Sequence, residues 1–183
     1  MLIQTTKIQG FREISFPVHE DERGTFEQWF SEFDSEASIG KFEPVQANIS
    51  ISKQGVIRGI HYSTVDEGQA KMVVCVHGKI HDVVVDVREG SKTYGKYHAV
   101  ELEAGSGRAV FISAGLGHAF EVLSDSATIV YLLSSRYRPK FEKEINPLDP
   151  DLNIQWSSKI PILSKKDREA ESFARYTERL NNA

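Results

Sequence analysis

The feature that most constrains this chain is a series of short alternating or apolar segments between residues 45 and 137, separated by Gly, Ser and Asp. This pattern is typical of an antiparallel β-sandwich or barrel. Segment 46–52 alternates strictly, so that one strand face carries Gln46, Asn48, Ser50 and Ser52 and the other carries Ala47, Ile49 and Ile51. The polar face fits either solvent or a ligand-holding barrel interior, and alternation leaves both open.

Further strands are expected along the same region. Segment 80–88 alternates and predicts a half-buried strand, with Val83, Val85 and Val87 on one side and Asp82, Asp86 and Arg88 on the other. Segments 109–113 and 127–134 are rich in Val, Ile, Leu and aromatic residues and also predict strands. The C-terminal stretch 164–180 predicts a helix that opens with a capping box, in which Asp167 replaces the usual Glu.

The 183 residues predict one domain over 1–183, with a β core at about 45–137 and a helical tail at about 164–180. The formal net charge of −4 and the lack of a basic cluster make nucleic acid an unexpected partner. The lone Cys75 cannot form an intrachain disulfide, which suits a reducing compartment. Because no leader or long apolar segment is evident, we expect a cytoplasmic protein with no membrane contact.

Several titratable residues could carry chemistry. His61 ends an apolar strand, Lys71 opens another, and His118 follows Gly115 and Gly117. Each also has an ordinary structural explanation, as do Tyr131 in an apolar strand and Asp167 in its cap. An imidazole suits proton transfer at neutral pH, but the sequence alone does not select His61.

The relation between Arg58 and His61 depends on the glycine between them. Strict alternation places these two side chains on opposite faces of a strand. A bulge at Gly59 could re-aim one of them.

A metal site has little support. His61 is followed by Tyr62 and Ser63 instead of a second ligand, and a turn at 78–79 separates His77 from His81. Phosphate-cradling glycine motifs, a nucleophile elbow and the HExxH zinc motif are all absent from the sequence.

Many short motifs, taken in order, cover most of the chain. They are 21–26 (DERGTF), 46–50 (QANIS), 55–62 (GVIRGIHY), 69–71 (QAK), 82–88 (DVVVDVR), 90–95 (GSKTYG), 115–120 (GLGHAF), 137–139 (YRP), Glu142, 146–150 (NPLDP) and 163–167 (LSKKD). In this order and spacing, the sequence resembles the dTDP-4-dehydrorhamnose 3,5-epimerase family, a metal-independent branch of the cupins.

The resemblance implies a mainly β fold, a cupin-type jelly-roll β-barrel with a short C-terminal helical segment. It also implies a homodimer with strands exchanged between subunits and no cofactor. The implied reaction inverts carbons beside the 4-keto group of a dTDP-linked 4-keto-6-deoxyhexose.

The resemblance also implies residue roles. His61 would be the base, oriented by Asp167; Tyr131 would be the acid on the opposite face, and Lys71 would stabilise the enolate. The implied substrate-binding residues, which also include Lys71, are Arg23, Phe26, Gln28, Gln46, Asn48, Arg58, His118, Tyr137, Glu142 and Lys166.

Two positions depart from the family pattern. Gln28 stands where the family commonly has Glu, with Glu27 beside it, and Ser63 stands where Gln is frequent. The leading expectation is inversion at carbons 3 and 5 of dTDP-4-dehydro-6-deoxy-D-glucose to give dTDP-4-dehydro-L-rhamnose. The alternatives are a single-carbon epimerase on a related sugar, a sugar-nucleotide-binding module without activity and, least favoured, a metal-dependent cupin enzyme.

Overall fold

The computed structural model describes residues 1–31 and 39–181, in which thirteen strands and two short helices are present. The strands are β1 (Leu2–Thr5), β2 (Phe11–Ser15), β3 (Val18–Asp21), β4 (Gly24–Glu27), β5 (Gln46–Lys53), β6 (Ile57–Ser63), β7 (Lys71–His77), β8 (Lys79–Asp86), β9 (Tyr97–Glu103), β10 (Arg108–Ile112), β11 (Leu116–Val122), β12 (Ser126–Leu133) and β13 (Glu142–Glu144). The helices are α1 (Lys165–Arg168) and α2 (Phe173–Asn181).

Two antiparallel sheets and one hairpin account for these strands. The six-stranded sheet has the order β1-β2-β10-β7-β12-β5, and the five-stranded sheet has the order β13-β6-β11-β8-β9. Strands β3 and β4 form a separate hairpin. Because consecutive strands repeatedly cross from one sheet to the other, the arrangement is a jelly roll, and the predicted mainly β fold is confirmed.

Three apolar clusters stabilise the two sheets. The first lies between them and joins Phe11, Val73 and Ile129 of the six-stranded sheet to Val84 and Phe120 of the five-stranded sheet. The second covers the outer face of the five-stranded sheet with the C-terminal segment. The third covers the outer face of the six-stranded sheet with N-terminal residues. The outer faces of the central strands are therefore covered on both sides of the interior, whereas the edge strand β5 is not.

Strand β5 resolves the choice that its alternation left open. Its polar side chains turn inward, where Asn48 and Ser50 line cavities and Ser52 is buried. The apolar face points outward instead, with Ile49 70% and Ile51 71% exposed. The polar face therefore belongs to the barrel interior, and the outward face of this edge strand is unusually apolar.

Strand β8 differs from the half-buried strand that its sequence predicts. Asp82 and Asp86, on the polar side of the pattern, are completely buried, like Val83 and Val85 on the other side. The outer side is covered by the C-terminal segment. The inner side lies within the barrel, where His118 contacts one oxygen of Asp82 and Arg88 donates to Asp86. Alternation of residue type here separates two buried environments.

The C-terminal stretch is helical, as the sequence predicts, but it forms two helices instead of the single helix expected over 164–180. Helix α1 begins after Ser164, whose Oγ accepts the backbone N–H of Asp167 at 3.0 Å, as the capping box predicts. Glu171 then forms an isolated bridge with Ile145, which requires extended backbone. The Ser172 hydroxyl accepts the Arg175 N–H at 3.2 Å and caps α2. Pairing with the sheet therefore interrupts the helical pattern.

Among residues 1–31 and 39–181, no helix combines the length and apolar character that crossing a membrane would require.

Candidate active site

Two adjoining cavities open between the sheets, and their volumes are about 270 Å³ and about 350 Å³. We call them the first and second cavities. Both are lined by Arg58, His61, Lys71 and Tyr131. Since these four side chains come from both sheets, the cavities form one continuous interior site beside the apolar cluster that joins the sheets.

A bulge in β6 brings Arg58 and His61 to the same site. His61 pairs with His118 and Arg58 pairs with Phe120, so three steps along β6 match two steps along β11. Gly59 occupies this irregularity with φ +120°, and a Cβ there would lie 2.5 Å from the carbonyl oxygen of His118. The bulge therefore requires glycine and explains why two residues that alternation separates share a cavity.

His61 and Asp167 form a close pair. Nε2 of His61 lies 2.6 Å from Oδ1 of Asp167, whose side chain is almost completely buried. Burial alone would raise the pKa of the Asp167 carboxyl, but hydrogen bonds, chiefly to His61, lower it below its usual value. With Nε2–H donating to this carboxylate, Nδ1 is the ring nitrogen left to accept a proton. The arrangement therefore suits a base whose protonated form is stabilised by a nearby negative charge.

The same Asp167 also takes part in the helix cap. Its backbone N–H donates to Ser164, whereas its carboxylate meets His61. Capping and pairing use different atoms, so the two sequence interpretations of this residue are compatible. The cap fixes the backbone from which the carboxylate reaches the imidazole.

Lys71 places a buried ammonium at the cavity wall. Its Nζ lies 3.4 Å from the carbonyl oxygen of His61, and the residue lines both cavities. Burial lowers the pKa of Lys71 to about 8, although the negative charges of Glu142 and Asp82 oppose the shift. A cation with so little hydration interacts strongly with negative charge that develops beside it.

Tyr131 faces the interior from the sheet opposite His61. It belongs to β12 of the six-stranded sheet, whereas His61 belongs to β6 of the five-stranded sheet, and both side chains line both cavities. A phenol can donate a proton and regain it from solvent. The site therefore offers proton-transfer groups on two opposite walls.

A second histidine in the interior is also held by a carboxylate. Nε2 of His118 lies 2.8 Å from Oδ2 of Asp82, and both side chains are buried. His118 lines the second cavity next to Phe120. Asp82 thus fixes the ring of His118 in the same way that Asp167 fixes the ring of His61.

Polar side chains at the edge of the first cavity are held in a network. Gln46 donates from Nε2 to Asn48 Oδ1 at 3.0 Å, and its Oε1 accepts the Tyr137 N–H at 2.8 Å. Asn48 and Tyr137 line the cavity, and Tyr137 is 57% exposed. Gln46 therefore holds the backbone of Tyr137, whose exposed ring lies at the mouth of the site.

Cationic groups lie near the same mouth. Nε of Arg58 donates to Ser52 Oγ at 2.9 Å, and Nζ of Lys166 lies 2.8 Å from Oε2 of Glu144. Arg58 and Lys166 both line the first cavity. Hydrogen bonding to Glu144 raises the pKa of Lys166, so its ammonium stays charged at neutral pH. These groups suit an anionic part of a ligand.

Comparison with known proteins identifies the family. The family model for dTDP-4-dehydrorhamnose 3,5-epimerase matches residues 5–175. The chain belongs to this family. It is therefore an isomerase of the epimerase class that acts on carbohydrates.

Three similar proteins illustrate the family. A Streptomyces dTDP-4-dehydro-6-deoxyglucose 3-epimerase is 47% identical over 159 residues, which cover 86% of this chain and 81% of the relative. The dTDP-4-dehydrorhamnose 3,5-epimerase of Mycolicibacterium smegmatis is 42% identical over 177 residues, which cover 95% of this chain and 87% of the relative. The crystal structure of a Streptomyces bikiniensis 3'-monoepimerase in complex with dTDP-quinovose matches with a TM-score of 0.91 and 44% identity. The match covers 96% of this chain and 89% of that structure.

The structure brings ten of the residues named from the family resemblance to the two cavities. They are Asn48, Arg58, His61, Lys71, His118, Tyr131, Tyr137, Glu142, Lys166 and Asp167. Gln46 adjoins them through Asn48 and Tyr137.

The other three residues expected in an epimerase site lie elsewhere in this chain. Arg23 and Phe26 line a depression on the β3–β4 hairpin, where Arg23 pairs with Asp21. Gln28 follows β4 and is exposed. None of the three lines either cavity within the single chain.

Some interior residues of the epimerase fold were not assigned from the sequence. Gln69, Glu144 and Ser164 also line the first cavity, and Asp82 holds His118. Gln69 belongs to the same short motif as Lys71, so the sequence could have indicated that Gln69 also lies at the site. Glu144 had no such signal, because its place beside His61 arises from pairing between β13 and β6.

Within the described parts of the chain, no three His, Cys, Asp or Glu side chains are grouped closely enough to hold a metal ion. His77 ends β7 and His81 lies in β8, on either side of the turn at Gly78.

Proposed function

We propose that this protein inverts carbons 3 and 5 of dTDP-4-dehydro-6-deoxy-D-glucose and forms dTDP-4-dehydro-L-rhamnose. The observation that carries the proposal is that His61, which is paired with Asp167, and Tyr131 line the same cavities from opposite sheets. Inversion needs a base on one face of the reacting carbon and an acid on the other. This arrangement supplies both.

In the proposed reaction, Nδ1 of His61 removes the proton from a carbon next to the ketone. The negative charge of Asp167 stabilises the imidazolium that forms. Electrons from the broken C–H bond move onto the ketone oxygen, where the Lys71 ammonium stabilises the enolate. Tyr131 then donates a proton to the opposite face of the same carbon, so that its configuration is inverted.

The remaining cavity residues would bind the nucleotide and sugar. Arg58 and Lys166 suit the diphosphate, since both are cations at the mouth of the first cavity. The exposed ring of Tyr137 suits stacking with thymine. Asn48, Glu142 and His118 offer hydrogen bonds to the sugar hydroxyl groups.

A second candidate is inversion of carbon 3 alone. The observation that favours it is the 47% identity to a named 3-epimerase, compared with 42% identity to a named 3,5-epimerase. The same base, acid and cation would serve either reaction, because both begin with proton removal beside the ketone.

Isotope uptake from solvent tests both candidates. The purified protein is incubated with dTDP-4-dehydro-6-deoxy-D-glucose in deuterated water, and the product is examined by NMR and mass spectrometry. Deuterium at carbons 3 and 5 with inverted configuration is the expected result. Label at carbon 3 alone would support the second candidate, whereas dTDP binding without any label would indicate a binding module and contradict both.

We also propose that the working enzyme is a homodimer. Strand β5 pairs with β12 on one side and lies at the sheet edge on the other, where it exposes Ile49 and Ile51. The hairpin residues Arg23 and Phe26, the latter 68% exposed, would then complete the cavity of the partner copy. The cytoplasmic location expected from the sequence stays a prediction.

Sizing in solution tests the dimer. We expect the native protein to elute as a dimer and the double variant Ile49→Lys/Ile51→Lys to elute as a folded monomer with weaker dTDP binding. A control with lysine at Ile160, which is also exposed, should stay dimeric. A native protein that is monomeric at working concentration would contradict the proposal.

A further inference from the structure

The carboxylate of Glu142 is held by two neighbouring donors. Ser63 is its direct partner in the pairing of β13 with β6, and Oγ of Ser63 donates to Glu142 Oε1 at 3.1 Å. Nε2 of Gln69 donates to the same oxygen at 3.5 Å. Gln69 is itself buried and also donates to Ser135 Oγ at 3.2 Å. The orientation of this carboxylate is therefore fixed by side chains of two different segments.

Glu142 is important because it shares the first cavity with the buried ammonium of Lys71. It lines the first cavity together with Lys71, and its negative charge is the foremost influence that opposes the effect of burial on the pKa of Lys71. A buried ammonium needs such a partner, because removal from water disfavours its charged form. The other ionisable groups that line these cavities with Lys71 are Arg58, His61, His118, Tyr131, Tyr137, Lys143, Glu144, Lys166 and Asp167. Asp82 adjoins them through its contact with His118.

We propose that Ser63 is a positioning residue, whose hydroxyl holds the Glu142 carboxylate where it keeps the Lys71 ammonium charged toward the enolate. Ser63 itself is not among the cavity-lining residues, so it acts through Glu142. This inference rests on the proposed epimerase function. The competing explanation is that the Ser63 hydroxyl only stabilises the β6–β13 pairing.

Three variants separate these explanations. Ser63→Ala removes the donor, Ser63→Thr keeps a hydroxyl, and Thr64→Val is the matched control. The control is suitable because Thr64 and Phe141 adjoin the ends of the same two strands, and Thr64 Oγ1 donates to the backbone oxygen of Phe141 at 3.0 Å. Thermal unfolding and dTDP binding are measured first, so that any folding defect is seen.

For Ser63→Ala, we expect kcat/KM to fall roughly tenfold, the size associated with losing one hydrogen bond to a charged group. The fall should reside in kcat, and the alkaline limb of the pH profile should move to lower pH. Ser63→Thr should retain the native kcat and pH profile, and Thr64→Val should change neither kcat nor the pH profile. NMR titration of Lys71 in ε-¹³C-lysine-labelled protein without substrate should show the same downward shift for Ser63→Ala.

The titration keeps the two proposals distinguishable. If the native protein has no epimerase activity, the epimerase function fails, and an unshifted Lys71 titration then overturns the role of Ser63 separately. If the native protein is active, unchanged kcat and pH profile in Ser63→Ala would overturn the role of Ser63. A fall in activity that Thr64→Val reproduces, with no shift of the Lys71 titration, would show a merely structural hydroxyl and would also overturn it.

Discussion

The carboxylate of Asp167 lies 2.6 Å from Nε2 of His61, although 106 residues separate them in the chain. Helix α1 carries the carboxylate and β6 carries the imidazole, and the backbone N–H of Gly59 in β6 also donates to Asp167. Because the Asp167 carboxylate is held against His61, we expect its negative charge, as well as its position, to matter for proton abstraction.

The first prediction concerns the charge of Asp167. Asp167→Asn keeps the backbone N–H that donates to Ser164 but removes the negative charge beside His61. Turnover should fall by about 10²-fold or more, because the imidazolium loses its counter-charge. Steady-state kinetics and thermal unfolding are the measurements.

A matched control for Asp167→Asn is Asp149→Asn. Asp149 is also a buried carboxylate of the C-terminal segment, but it accepts the backbone N–H groups of Asp151 and Phe173. This control should lower the free energy of unfolding by about 1–3 kcal/mol and leave kcat nearly unchanged. Equal losses of turnover in both variants would show that the effect of Asp167 is structural.

The second prediction is a pH dependence set by Lys71. Its pKa of about 8 means that the ammonium is present below that pH and is lost as pH rises through it. Since the charged form stabilises the enolate, kcat/KM should decline above about pH 8. Lys71→Arg keeps a positive charge throughout this range, so whatever activity it retains should show no decline there. A native profile that is flat to pH 10 would contradict the assignment.

The sequence predicted most of the architecture because strand alternation is local information. The segments around Asn48, Val83, Val110 and Tyr131 all form strands close to the expected bounds. Which face of a strand is buried, however, is not decided by the local sequence. It depends on which sheet edge remains uncovered and on where the C-terminal segment lies, as the outward Ile49 and the buried Asp82 show.

The site was predicted through family resemblance and not through spacing. Alternation alone separated Arg58 from His61, and the bulge that joins them depends on the contact of Gly59 with β11, which is distant in sequence. Arg23 lies on the β3–β4 hairpin, away from the cavities of its own chain, although the resemblance placed it at the site. Contacts between distant segments are the part that a single sequence does not display.

The third prediction concerns stability and the buried carboxylate of Asp86. Burial would raise its pKa, but hydrogen bonds from Arg88, Ser91 and Thr93 together lower it well below the usual range. A lowered folded-state pKa contributes stability above the unfolded value near 3.8, and this contribution is lost as pH falls below it.

Asp86→Asn should therefore destabilise the protein by about 3 kcal/mol at pH 7, because Arg88 loses its buried partner. The difference in free energy of unfolding from the native protein should shrink as pH falls below about 4, which denaturant titrations at several pH values would measure. The control Asp125→Asn alters an exposed residue and should change stability by less than about 0.5 kcal/mol. A difference that does not vary with pH would rule out ionisation as its cause.

The fourth prediction separates the two proton transfers. Tyr131→Phe removes the proposed acid from the six-stranded sheet and leaves the His61–Asp167 pair on the opposite sheet intact. Inversion should slow by about 10²- to 10⁴-fold, the usual contribution of one acid–base group. The base can still remove and return a proton on its own face, so deuterium should enter the substrate with retained configuration faster than inversion occurs.

His61→Asn is the matched variant for Tyr131→Phe, because it removes the base and leaves the acid. Exchange and inversion should then fall together, since no proton leaves the carbon. NMR of the sugar nucleotide in deuterated water measures both rates in one sample. If Tyr131→Phe lost exchange as completely as His61→Asn, the two groups would not act on opposite faces of one carbon. The assignment of His61 as base and Tyr131 as acid would then be wrong.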